Sequence, residues 1–164
     1  MINKKSLIFL IFIFIFTGCE SKKTIEKMLN EDKVYKILLN KTQKLEIINS
    51  FQTKSTVIVT YLDKYKPHDS SMERFLVAFY INDSELMDNF DLTKNSEYKI
   101  FLNNKVPLEI IEVSKDDKVL RDIPYYQKWY KYYYVNFKKE NNDKLEFLIK
   151  HETFGMAYTN FLKD

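Results

Sequence analysis

Apolar and polar positions along the chain change rhythm twice. Leu7 to Phe16 is an unbroken run of ten apolar residues (LIFLIFIFIF). That is too short to cross a bilayer, which takes about 20 residues, and the polar residues from Glu20 onward prevent its extension. Thr24 to Asn30 then spaces Ile25, Met28 and Leu29 at i, i+3 and i+4, which predicts a short helix. Asp32 would fall on the same face, so the helix is expected to stop near it. Lys33 to Leu39 (KVYKILL) fits a continued helix or the start of a strand.

From Lys44 the period becomes two. Leu45 to Asn49 predicts a short strand, and Val57, Val59 and Tyr61 alternate with Thr56, Ile58 and Thr60 in a β-branched run. After a polar loop, Asp63 to Ser71, the segment Arg74 to Ile81 (RFLVAFYI) is apolar on both faces. It predicts a central strand covered above and below. Asn82 to Asn95 is a polar connection with one helical turn around Leu86 to Phe90. Tyr98, Ile100 and Leu102 alternate, and Asn103-Asn104 predicts a tight turn, because asparagine tolerates positive φ. Leu108 to Val113 is expected to return as the partner strand, with Pro107 at its first position or on an edge, since proline has no amide hydrogen. After a charged, irregular stretch (Ser114 to Pro124) come a long strand at Lys128 to Phe137, a turn at Lys139 to Asp143, alternation at Leu145, Phe147 and Ile149, and a closing strand at Met156 to Leu162.

Short strands with turns every 8 to 12 residues or so point to one antiparallel β-sandwich or barrel. The expected fold is mainly β, a single antiparallel sandwich with a short N-terminal helix; the doubly apolar strand favours a sandwich over a closed barrel. The likeness is to small immunoglobulin-like lipoprotein domains, in architecture only: Cys19 is the sole cysteine and Trp129 comes late, so the Cys…Trp…Cys signature is missing.

Charge and composition add the location. Lys4-Lys5, the apolar run and the small residues Thr17-Gly18 make up a signal peptide. Phe16-Thr17-Gly18-Cys19 resembles the lipobox of bacterial lipoprotein precursors, with Phe16 where that family usually carries Leu. The resemblance implies a diacylglycerol on the Cys19 thiol, cleavage between Gly18 and Cys19, and N-acylation of Cys19. Together with the strand pattern, it divides the chain into a cleaved signal at 1–18, a tether and short helix at 19–32, and a sandwich at 33–164. Two or more acyl chains hold a protein stably at a bilayer. Glu20 is not the aspartate that the family associates with inner-membrane retention, so the resemblance implies the periplasmic side of an outer membrane.

Several function classes drop out. Loss of Met1 to Gly18 leaves 146 residues and takes the net charge from +3 to +1, too little for a nucleic-acid binder. One cysteine allows neither an internal disulfide nor a cysteine-based metal site. Gly155 is the only glycine beyond Gly18, which excludes phosphate-cradling glycine loops and the G-x-S-x-G elbow. No cofactor or metal is expected.

Tyr125 to Phe137 (YYQKWYKYYYVNF) is the one unusual patch. On a strand, Trp129, Tyr133, Val135 and Phe137 share one face, and Tyr130, Tyr132 and Tyr134 the other, flanked by lysines. Trp129, Tyr130, Tyr132 and Tyr134 are the candidate surface for an envelope protein or a glycan, since tyrosine is enriched at interface hot spots. Against this, cross-strand aromatic pairs stabilise a sheet unaided. His68 and His151 lack metalloprotease spacing and are expected to be solvated. Asp116-Asp117 and Asp88…Asp91 are expected to serve turns. The chain is therefore expected to be a non-catalytic binding or scaffolding lipoprotein. An envelope hydrolase using His68 or His151 and a purely structural lipoprotein are the alternatives.

Overall fold

The computed structural model describes residues 29–31, 33–63, 65 and 71–163. Gly18, Cys19 and His68 lie outside them. Residues 29–31 and 33–40 are helical (α1 below is 33–40), which settles KVYKILL as helix: Val34 and Leu38, four apart, fall on one face and pack on the sheet behind them. Eight strands follow: β1 (Thr42–Asn49), β2 (Gln52–Tyr61), β3 (Met72–Ile81), β4 (Tyr98–Leu102), β5 (Glu109–Glu112), β6 (Lys131–Lys138), β7 (Lys144–His151) and β8 (Gly155–Leu162). Two short helices, α2 (Ser84–Asn89) and α3 (Lys118–Asp122), interrupt them.

The chain is mainly β, and all strand pairs are antiparallel. One sheet has the order β1-β2-β3-β6-β5 and the other β4-β7-β8. β3 is the middle strand of five, as its doubly apolar sequence predicts. Phe75, Val77, Phe79 and Ile81 point into a core shared with the second sheet, while Leu76 and Ala78 point outward under α1 and α3. The second sheet contributes Tyr98, Ile100, Leu102, Leu145, Phe147, Ile149 and Phe161 to that shared core. Phe75 is its hub: the ring lies 4.9 Å from Tyr61, 5.9 Å from Phe137, 5.1 Å from Phe147 and 5.4 Å from Phe161, centroid to centroid.

One expected pairing is wrong. Tyr98–Leu102 and Leu108 to Val113 do not form a hairpin. The turn at Asn103 and Asn104 is there, with φ of 46° and 65°, but the ladder beyond it stops at a single bridge between Leu102 and Lys105. Pro107 has no hydrogen to extend that ladder. The chain instead crosses to the other sheet, where β5 pairs with β6 and β4 with β7.

A buried acid ties one end of the molecule together. Glu73, fully buried on β3, accepts from Tyr61 OH at 2.5 Å and from the Glu140 amide at 3.1 Å. Its carboxylate also meets Lys163 Nζ at 2.7 Å and Lys139 Nζ at 3.4 Å. Burial alone would raise its pKa. The hydrogen bonds from Lys163, Tyr61 and the Glu140 amide, with the charge of Lys139, outweigh that and hold it below the ordinary 4.5. A buried carboxylate persists as an anion only when paired this fully.

Two outcomes test this packing. Phe75→Ala should cost about 3–5 kcal/mol in denaturant unfolding, the range for deleting a large buried ring. Glu73, with a folded pKa below its unfolded value, adds stability above about pH 4.5, and this contribution fades as pH falls through the folded pKa. Urea midpoints of the native protein and Glu73→Gln should therefore differ at pH 7 and converge in acid.

Candidate functional site

The tyrosine-rich segment was expected to show an open ladder. The structure covers it. Tyr132 is 6% exposed, and Tyr130 and Tyr134 are half-buried. Strand β6 begins at Lys131, so Trp129 is not on the strand but in the preceding loop, 59% exposed. The reason lies in the flanking chain: α1, α3 and the 123–130 segment lie over the outer face of the five-stranded sheet, and their apolar residues need somewhere to go. Leu38, Val119, Leu120 and Ile123 join Tyr132 in a second core there, with Tyr65, Tyr125, Tyr130 and Tyr134 packed against it.

Four hydroxyls in that layer, those of Tyr65, Tyr125, Tyr132 and Tyr134, find partners, as buried tyrosine requires. Tyr132 OH accepts from the Gln127 amide at 2.8 Å, and its ring stacks on Tyr126 at 5.6 Å. Tyr134 OH donates to Asp117 Oδ2 at 3.1 Å while the Arg74 guanidinium sits 4.1 Å over its ring. Tyr65 OH donates to Asp122 Oδ2 at 2.8 Å, and Tyr125 OH shares a 2.5 Å bond with Thr60 Oγ1. Burial pushes Tyr132 up to about 12, and it raises Tyr65, Tyr125 and Tyr134 further. On the core side, burial pushes Tyr133 up to about 12 as well.

His151 differs from expectation too: it is buried, not solvated. Its ring stacks on Phe154 at 4.2 Å and meets Tyr98 edge-on at 4.5 Å. Nδ1 accepts from the Thr153 and Phe154 amides at 3.0 and 3.2 Å. The proton therefore belongs on Nε2, which faces Glu97 Oε2 at 3.7 Å. The histidine holds the β7–β8 turn, which Gly155 completes at φ 107°, a left-handed conformation that side chains resist. The carboxylate pairs cap local structure: Asp117 accepts the Val119 amide at the start of α3, and Asp91 accepts Thr93 Oγ1 and N. Those Thr93 bonds and Lys94 hold Asp91 at about 2. Among the described residues no group of His, Cys, Asp and Glu could hold a metal ion, and no helix is long and apolar enough to cross a membrane.

Besides Tyr126 and Trp129, exposed apolar side chains stand on α1 (Tyr35, Ile37, Leu39), around β5 (Val106, Leu108, Ile111) and on β8 (Met156, Tyr158, Leu162). On the outer face of β4-β7-β8, Phe101, Leu148 and Tyr158 fall in one register row, with Lys99, Lys150 and Met156 in the next. Leu148 on the polar side of β7 was the available sequence signal. At the β1–β2 turn, Phe51 is completely exposed. The chain matches no protein-family model, no curated protein and no solved structure.

Two measurements check this site. The raised tyrosine pKa values favour the neutral form, so they add stability below about pH 10 that is lost as pH rises through 12. Spectrophotometric titration should show these tyrosines ionising late and together with alkaline unfolding. Long-range ¹⁵N–¹H spectra should show that the neutral His151 ring carries its proton on Nε2, with Nδ1 accepting from the Thr153 and Phe154 amides.

Proposed function

We propose that this chain is a lipid-anchored protein of the bacterial envelope whose body is a non-catalytic binding or scaffolding module. The observation that carries the reading is the N-terminal layout: Lys4-Lys5, the apolar run from Leu7 to Phe16, and Thr17-Gly18-Cys19. Acyl chains on Cys19 would hold the body at the membrane, on the periplasmic side of an outer membrane by the likeness to lipoproteins. The partner is an envelope protein or a glycan. With the tyrosine face covered, we assign it to the outer face of β4-β7-β8, where Met156 and Tyr158 are exposed.

Strand order supports an immunoglobulin-like sandwich as the architecture. With β1 set aside, β2-β3-β6-β5 and β4-β7-β8 correspond strand for strand to the ABED and CFG sheets of the constant-type immunoglobulin fold. β3 and β7 then take the places of strands B and F, which that family joins by a disulfide. Here Phe75 and Phe147 meet at those strands, 5.1 Å apart. β1 is an added edge strand, and the signature tryptophan has no counterpart on β4.

Growth of the native bacterium with an alkyne-tagged palmitate tests the anchor. The protein should take up label, lose it in Cys19→Ala, and yield an N-terminal peptide beginning at acylated Cys19. Unlabelled protein that retains Met1 would contradict the reading.

A further inference from the structure

The β1–β2 turn is built against its own backbone preference. Ser50 and Phe51 both have positive φ, 51° and 61°, and Asn49 pairs with Gln52 across them. This is a two-residue hairpin of the kind that favours Asn-Gly, because positive φ crowds any side chain. A bulky aromatic in this conformation is a genuine outlier. Phe51 gains no packing in return, for its side chain is completely exposed, and its neighbour Ile48 is 57% exposed.

Other turns come out at the same end. Lys54 Nζ lies 5.7 Å from the Phe154 ring in the β7–β8 turn, and Asn82 Nδ2 donates to the Thr53 carbonyl. Just past the β7–β8 turn, Met156 is 63% exposed. Lys54, Lys99 and Lys150 stand among these apolar groups, with Glu97, Glu152 and Asp83 to balance them; Lys99 and Glu152 pair at 2.8 Å. Charge at this end nearly cancels. What distinguishes it is a projecting aromatic tip with aliphatic neighbours.

We propose that this end, led by Phe51 and Ile48, dips into the bilayer that holds Cys19 and so sets the orientation of the body on the membrane. The inference rests on the lipid-anchor reading. Nine residues lie between Cys19 and Leu29, and the ten backbone steps they span reach at most about 35 Å, comparable to the length of a ten-residue strand. That length lets ends of the body away from Leu29 approach lipid, and Phe51, the most exposed large apolar side chain among the described residues, marks this one. A phenylalanine and an isoleucine would bind a membrane weakly alone. On a body already tethered, the high effective concentration makes that small preference sufficient to choose an orientation.

The test uses the chain from Cys19 onward, joined through its single thiol to maleimide-bearing lipid in phosphatidylcholine vesicles. In Trp129→Phe the only tryptophan is gone, so adding Phe51→Trp reports from the tip alone. Its emission should shift to the blue and be quenched by phosphatidylcholine with brominated acyl chains, in 1 M salt as in dilute buffer. Native Trp129 should show neither effect. In a second reporter, Ile48→Trp in the same background, adding Phe51→Gly should raise the melting temperature and weaken the quenching. A purely structural role for Phe51 would lower the melting temperature instead. Water-like emission and no quenching, with coupling confirmed, would overturn the inference and assign the tip to a protein partner. Equal quenching of Trp129 would overturn it as well. Because chemical coupling replaces natural acylation, neither result bears on whether Cys19 is acylated in the cell.

Discussion

The fold depends on one ring. Phe75 sits on the middle strand of the five-stranded sheet and touches aromatic side chains of both sheets at once. Cys19 is the only cysteine, so no internal disulfide can fasten the layers. Aromatic packing does that work here. Each well-placed pair adds about 0.5–1.5 kcal/mol beyond the area it buries, and Phe75 takes part in four. The Glu73 network, two residues before it on the same strand and on the same face, fastens the adjacent end through Lys163 and the 139–140 segment.

Around that hub the five-stranded sheet is used on both faces, and this arrangement decides what is open to a partner. One face packs on β4-β7-β8, the other under α1, α3 and the tyrosine layer. Exposed apolar side chains remain on the outer side of α1, around β5, at Tyr126 and Trp129, on β8 and at the β1–β2 turn, where Phe51 is the most exposed of them. Tyrosines that would make a binding surface on an open sheet are here the mortar between sheet and helices.

Local structure was legible where periodicity alone decides it. Phe75, Val77 and Phe79 alternate with Leu76 and Ala78, both sets apolar, and a strand with that pattern has to be central. Leu145, Phe147 and Ile149 gave β7 in the same way. Pairing was less legible, because it depends on what lies across the molecule: the Asn103-Asn104 turn is real, yet Pro107 stops its ladder and β5 finds β6. The tyrosines were ambiguous for a chemical reason, since a ring with a polar tip suits a half-exposed face and a hydrogen-bonded interior equally. His151 was misjudged because its burial comes from Tyr98 and Phe154 closing over it, the first of them on another strand. The strain at Phe51 was invisible, as nothing in Asn-Ser-Phe-Gln signals a two-residue turn with positive φ.

Aromatic NOE spectroscopy of the folded protein in solution tests the hub most directly. With Phe75 selectively labelled, its ring protons should show strong cross-peaks to Tyr61 on its own sheet and to both Phe147 and Phe161 on the other. Cross-peaks to Tyr61 and Phe137 alone, with none to Phe147 or Phe161, would mean that the two sheets do not close over this ring, and the account of how the fold is held together would fail.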